Sequence, residues 1–413
     1  MAHQALHKVP PIRFRRCGGV WEEVRLGAIC TIGDADHWMP ETAADGIPYV
    51  MTGDFCGINE IDFKNAKRIS ETDYEKLTKK IKPECGDILY ARYASIGSVR
   101  RINTTERFIA SYSCAILKVG GKLNSEYLFF LLQSSSSQNQ VKQSINTGSQ
   151  GNVGIESLKQ LTCFYPDNSE QEKIGVYFRE LNHLIGLHQR KHDKLVALKR
   201  AMLQKMFPQP GATIPEIRFK GFMGRWAEEV VGKLGTFSKG VGYSKSDLTS
   251  SGAPIVLYGR LYVDYQTSIS AVDTFVEERT GAIKSTGREV VVPASGESAE
   301  DIARASAILA EGIILGGDLN IIHPSDELDS YFLALALSNG RPKADLAKRA
   351  QGKTVVHVSK SDIASITIAY PKLAEQQKIS SHFRSIDELI TRHATQLQKL
   401  QQIKSACLEK MFV

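Results

Sequence analysis

No run of the 413 residues stays apolar for the ~20 positions that a membrane-crossing helix needs, so no membrane partner is expected. The opening Met1-Ala2-His3-Gln4 lacks the apolar core of a secretory signal. Cysteine is sparse and odd in number, at Cys17, Cys30, Cys56, Cys85, Cys114, Cys163 and Cys407. None forms a CxxC pair, which argues against a zinc site and a disulfide scaffold and fits a reducing cytoplasm. Catalytic signatures are missing too: there is no GxGxxG, HExxH or GxSxG. Gly352-Lys353-Thr354 ends like a phosphate-binding loop, but Ala347 stands where its first glycine belongs and no strand is predicted to run into it. No Asn-Pro-Pro-aromatic tetrapeptide marks an amino-group methyltransferase. Pro166-Asp167 resembles the start of a nuclease motif, but no Asp/Glu-x-Lys follows at useful spacing, and a turn is the simpler reading.

Charge of one sign is not dominant. Lys plus Arg number 52 against 45 Asp plus Glu, a net +7 that permits a polyanion partner without requiring one. Arg190, Lys191, Lys194, Lys199, Arg200 and Lys205 make one stretch locally basic, and a solvated helix face accounts for most of them.

What is present is a repeat. Ser169–Phe207 carries Glu170-Gln171-Glu172-Lys173-Ile174, Phe178-Arg179, Leu184-Ile185 and Lys205-Met206-Phe207. The same order returns as Glu375-Gln376-Gln377-Lys378-Ile379, Phe383-Arg384, Leu389-Ile390 and Lys410-Met411-Phe412, always 205 positions on (375 − 170 = 205). Apolar residues at 3,4 spacing predict two long helices with a coiled-coil seam. In the first copy the seam runs Ile174, Tyr177, Leu181, Leu184, His188, Lys191, Leu195, Leu198, Met202, Lys205. In the second it runs Ile379, His382, Ile386, Leu389, His393, Gln396, Leu400, Ile403, Cys407, Lys410. Ser169 with Glu172 reads as a capping box, Ala374 takes that place in the second copy, and Pro208 and Pro210 stop the first helix. Each helix would span roughly 55 Å at about 1.5 Å per residue. Antiparallel pairing of the two would set the polar seam positions His188/Lys191 and His393/Gln396 opposite each other. The plainer alternative packs each helix on its own neighbouring domain. A metal on His188 and His393 is not expected.

The entry to each half repeats at the same offset: Ile12-Arg13-Phe14 with Trp21-Glu22, and Ile217-Arg218-Phe219 with Trp226-Ala227. The chain is therefore a tandem duplication of a globular domain followed by a long helix. Strands are predicted around Ile88–Tyr90, Cys114–Leu117, Val290–Val292, Ile313–Leu315 and Leu319–Ile322, with one short helix per half, at Ser125–Gln133 and Asp329–Leu337. The predicted class is α+β: two strand-rich α/β domains in tandem, separated by two long helices forming an antiparallel coiled coil. The expected bounds are 1–168, helix 169–207, linker 208–214, 215–373 and helix 374–413. Helices kept alike beside globular parts that diverge suggest one scaffold holding two different readers, at opposite ends of the helix pair. A split, asymmetric DNA target would suit them.

Polar loops are the candidates for contact. In the first half they offer Arg92, Tyr93 and Ser95, then Thr147, Ser149 and Gln150. In the second they offer Tyr243, Lys245, Arg260, Ser295, Glu297, Gln351 and Lys353. Arg, Gln and Glu suit the edges of G, A and C, and Lys and backbone amides suit phosphates.

The repeated Glu-Gln-x-Lys-Ile…Phe…Leu-Ile…Lys-Met-Phe helices resemble the conserved regions of DNA-specificity subunits of type I restriction–modification systems. The Trp21-Glu22 and Trp226-Ala227 entries, Ala91-Arg92…Ile96-Gly97 and Pro293-Ala294-Ser295-Gly296-Glu297 are similar to that family's target-recognition domains. The resemblance implies a subunit with no catalytic site and no cofactor. Its two domains would each read half of a bipartite double-stranded DNA target, and its helices would set the spacer. It implies docking of two methyltransferase subunits, which carry S-adenosylmethionine, through the helix motifs Glu170, Gln171, Lys173, Phe178, Glu375, Gln376, Lys378 and Phe383. Two motor-nuclease subunits can join. The competing readings are a coiled-coil scaffold that binds only proteins, and a nuclease or methyltransferase with an unrecognised site.

Overall fold

The computed structural model describes residues 9–146, 151–209, 211–352 and 355–413. They form two compact units that do not follow chain order: residues up to Lys191 together with His393–Val413, and His192–Arg392. The two long helices, α1 (Asn168–Met206) and α2 (Leu373–Lys410), each contribute residues to both units.

In the first unit, entry strand Glu22–Arg25 pairs antiparallel with Thr162–Tyr165, just before α1. A four-stranded antiparallel sheet runs in the order Cys30–Gly33, Cys114–Val119, Ile88–Ala91, Val99–Arg101. A three-stranded sheet sets Ile47–Val50 between Lys67–Ile69 and a parallel partner, Ile109–Ala110. The central strands read as unbroken apolar runs because both faces are covered: Ile88, Leu89, Tyr90 and Ala91 are all fully buried.

The second unit repeats this plan at nearly constant offset. Ala227–Val230 pairs with Thr367–Tyr370. The sheet order is Gly235–Lys239, Leu319–Pro324, Val290–Pro293, Ser306–Ile308, with Ser268–Ile269 added at the edge. Ala253–Val256 has a parallel partner in Glu311–Leu315, as Ile47–Val50 has in Ile109–Ala110. The fold thus persists where the sequences have diverged, because alternation of apolar residues and turns is retained while identities are not.

The predicted short helices are present at Ser125–Leu131, capped by Asn124, and Ser330–Leu337, capped by Asp329. One helix per globular part is an undercount. Ser135–Gln143 and Gly340–Arg349 follow them, and Ile155–Lys159 and Lys360–Ala364 precede the last strands. Ser134 caps the first of these by accepting from the Ser137 amide.

The start of α1 also differs from expectation. Asp167, and not Ser169, caps it: its carboxylate accepts from the Glu170 amide at 3.0 Å. The matching residue in the second copy is Lys372, whose carbonyl alone receives the Glu375 and Gln376 amides. Ala374 lies inside α2.

In the first unit the α1 and α2 segments run antiparallel, with Tyr177 opposite Cys407 and His188 opposite His393. The buried stripe keeps part of the predicted seam, with Ile174, Leu181, Ile379 and Ile386 buried, and departs from it elsewhere. Leu184, Leu198, Leu389 and Ile403 are 38–48% exposed, whereas Phe178, Ile185 and Phe383 are buried. The spacing that packs is Ile174, Phe178, Leu181, Ile185. Its reason is that α1 serves two neighbours at once. Phe178 stacks on Phe130 of its own domain, ring centroids 5.0 Å apart, and meets Phe412 from the end of α2 at 5.7 Å. In the second unit Phe383 and Ile379 are buried in the same core cluster as Phe332, while Phe207, at the end of α1, stacks on Phe332 at 5.5 Å. Both packing modes weighed from the sequence therefore coexist. Burying each such ring contributes about 1.5–3 kcal/mol.

Candidate nucleic-acid interface

The loops chosen from sequence sit at equivalent places in the two units. In the first, the Arg92 amide donates to the Ser113 carbonyl and the Arg92 carbonyl accepts from Val153. In the second, the Ala294 amide donates to Asp318 and its carbonyl accepts from Val358. Each loop leaves the end of a central strand and is pinned between two further loops, which makes a face of three segments, around 92, 113 and 153 in the first unit and 294, 318 and 358 in the second.

On the first face Arg92 is buried, 5% exposed, and does not reach outward. Its Nε donates to the Val153 carbonyl at 2.8 Å, and Nη1 donates to the Asp34 carboxylate and to the Tyr112 carbonyl. Arg92 thus ties together 34–37, 92–93, 111–113 and 153. Asp34 in turn accepts from Lys80 at 2.9 Å and bonds His37 Nε2 at 3.3 Å. Burial opposes ionisation of Asp34, yet the Lys80 hydrogen bond, with the charges of Arg92 and Lys80, outweighs it and holds the carboxyl below its ordinary range. His37 stacks on Tyr112, rings 4.9 Å apart and 21° from parallel, and Tyr93 meets Tyr112 edge-on. Tyr93 is half-buried and Ser95 is exposed. The loop between them turns through left-handed Ala94 (φ 52°) and Gly97 (φ 89°). A Cβ on Gly97 would strike the Gln138 side chain, whose Nε2 donates to the Gly97 carbonyl at 3.0 Å. Thr147, Ser149 and Gln150 lie outside the described residues; the residues flanking them, Asn146 and Asn152, bridge in antiparallel fashion.

On the second face Ser295 is buried, donates to Asp318 at 3.2 Å, and pairs with His357. Gln351, exposed, bridges His357 from the other side. Glu297 is exposed beside Tyr262; burial first, then the neighbouring Tyr258 and Glu297, raise that phenol above its ordinary range. Arg260 is committed to Asp273 at 2.7 Å and Asp264 at 3.3 Å. Tyr243 is 5% exposed, its hydroxyl accepting from the Arg279 amide. Lys245 is exposed, and Lys353 lies outside the described residues. Arg92, Tyr243, Ser295 and Arg260 are therefore supports of the faces, and Ser95, Lys245, Glu297 and Gln351 are the candidates that present side chains to solvent.

The family model for the type I restriction modification DNA specificity domain matches residues 19–197 and 303–402, more than half of the chain. The chain belongs to this DNA-specificity family. A relative assigned to the MjaX type I restriction enzyme of Methanocaldococcus jannaschii as its specificity subunit is 23% identical over 340 residues, 77% of this chain and 76% of that one. In fold the chain is similar to the type I restriction–modification S subunit from M. genitalium, with TM-score 0.68 at 14% identity, covering 98% of this chain and 99% of that one.

For a specificity subunit, the helix motif residues have an unexpected use. Glu170 and Glu375 are buried and each takes a two-pronged bond from Arg13 or Arg218, with Nε to Oε1 at 2.8 Å in both copies. Gln171 donates to the Lys122 and Pro166 carbonyls and accepts from the Asn124 amide. Gln376 does the same with Glu327, Pro371 and Asp329. With Phe178 and Phe383 these residues lock each helix to its own domain and leave no side-chain surface for a partner. Lys173 and Lys378 are exposed. The residues that sequence reasoning missed are Asp34, His37, Lys80 and Tyr112. Only one of them carried a signal: Ser111-Tyr112-Ser113 is a polar–aromatic run abutting the predicted strand at Cys114–Leu117, whereas nothing in the pattern marked Asp34, His37 or Lys80.

Among the described residues no three His, Cys, Asp or Glu side chains gather as a metal site. Among those same residues no helix is long and apolar enough to cross a membrane.

Proposed function

We propose that this specificity subunit is the DNA-reading, non-catalytic member of a cytoplasmic type I restriction–modification complex, itself without cofactor. The observation that carries this reading is the pair of faces. One fold, repeated at a nearly constant offset, sets three loop segments at equivalent places and fills them differently, with a buried arginine hub at Arg92 and Ala294 in its place on the second unit. A common frame with unlike loops suits an asymmetric bipartite double-stranded DNA target, one half to each domain. The paired helices would set the spacer.

Two methyltransferase subunits, carrying S-adenosylmethionine and modifying adenine, would dock on the helices, and two motor-nuclease subunits could join. Because Glu170, Gln171, Phe178 and their repeats are buried, the docking surface passes to what the helices expose. That surface includes Lys173 and Lys378, and the repeat-related apolar pairs Leu184/Leu389 and Leu198/Ile403.

The test is co-expression with a cognate methyltransferase in cells without other adenine methylation, followed by mapping of methylated adenines. A single gapped motif with two unlike halves is expected. Methylation without such a motif, or none from the assembled complex, would overturn the reading.

A further inference from the structure

The first face holds a constellation that the loops chosen from sequence do not include. His37 is exposed over 59% of its side chain, yet it is not loose: it stacks on Tyr112 and its Nε2 is turned to Asp34. Asp34 is 7% exposed and ionised, bound by the buried guanidinium of Arg92 and by Lys80. A carboxylate only accepts, so the His37 bond requires a proton on Nε2. In the neutral ring that leaves Nδ1 with its lone pair, as an acceptor.

The acceptor has a natural complement. In the major groove only adenine, through N6, and cytosine, through N4, present amino donors. A preset histidine acceptor beside a half-exposed tyrosine therefore suits a base edge with an amino group, and rejects the O6 and N7 acceptors of guanine.

Resting on the function proposed above, we propose that His37 reads an exocyclic amino group, adenine N6 or cytosine N4, at one position of the half-site bound by the first unit. Arg92 and Asp34 are positioning residues that fix the tautomer and tilt of His37. The second unit has no counterpart, since Ala294 and Lys239 stand where Arg92 and Asp34 do.

The experiment uses the full complex and maps methylated adenines for wild type, His37→Ala and Asp34→Asn. With His37→Ala, one base pair of one half-site becomes degenerate, the other half-site and the gap stay unchanged, and affinity for the parental site falls about tenfold to a hundredfold. Asp34→Asn keeps the shape but can donate to the imidazole, so it relaxes the same position, which a merely structural role would not single out. A parental motif retained intact by His37→Ala overturns the role of His37 while leaving the wild-type bipartite motif, and thus the function, standing. A wild-type complex with no bipartite motif overturns both. Relaxation in both halves also overturns the assignment.

Discussion

His188 Nδ1 and His393 Nδ1 lie 2.9 Å apart in the first unit, and the two residues occupy the same place in the two copies of the repeat. Two equal nitrogens at that distance bond only if one carries the proton and the other accepts it. This meeting sets the register of α1 against α2, because a slip by one turn in either direction would part the two imidazoles. A double-mutant cycle between His188→Ala and His393→Ala, read by urea unfolding, is expected to give a coupling of about 1 kcal/mol. Additive single effects would mean that the contact contributes nothing to register.

Arg13 with Glu170, and Arg218 with Glu375, are a second repeated contact, and a more buried one: the glutamates are 0% and 3% exposed. Truncating the arginine strands a carboxylate inside the protein. Arg13→Ala and Arg218→Ala should each cost roughly 3–5 kcal/mol in urea unfolding, whereas Arg→Met paired with Glu→Leu at the same site should cost much less. Equal losses for single and paired changes would point to packing and not charge.

Much of this frame is legible in the residues themselves. Lys205-Met206-Phe207 and Lys410-Met411-Phe412 announce two helix ends, and Phe207 and Phe412 do pack alike, on Phe332 and Tyr127. The polar interruption at His188 and His393 is a register device that the heptad pattern exposes. The seam itself was harder, since Leu184 and Ile185 are adjacent and equally apolar. Only the globular domain beside α1 decides which turns inward. The face was least legible. Arg92 has the chemistry of a base reader, but its partner Asp34 is 58 positions away, and no local pattern shows that the pair closes over it. His37 escaped for the converse reason, because a histidine among Asp36, Trp38 and Met39 carries no periodic signal.

Against the opposing effect of burial, Lys80 and Arg92 hold the Asp34 carboxyl below its ordinary range. A carboxyl depressed on folding adds stability that is fully present above about pH 4. That stability disappears as pH falls through the lower folded value. Unfolding free energy measured from about pH 5 down to about pH 3 should fall less steeply for Asp34→Asn than for wild type. Parallel curves would show that Asp34 is not ion-paired in solution.

Lys245 stands exposed on the short helical turn Lys245–Asp247, and no ion pair engages it among the described residues. A lysine placed there suits a phosphate and not a base edge, since its ammonium is a point charge without bidentate geometry. Lys245→Ala in the assembled complex should therefore weaken binding to matched and mismatched DNA by a similar factor, and leave the methylated motif unchanged. The slope of log affinity against log salt should become shallower by about one. A change of motif with an unaltered salt slope would instead make Lys245 a base reader.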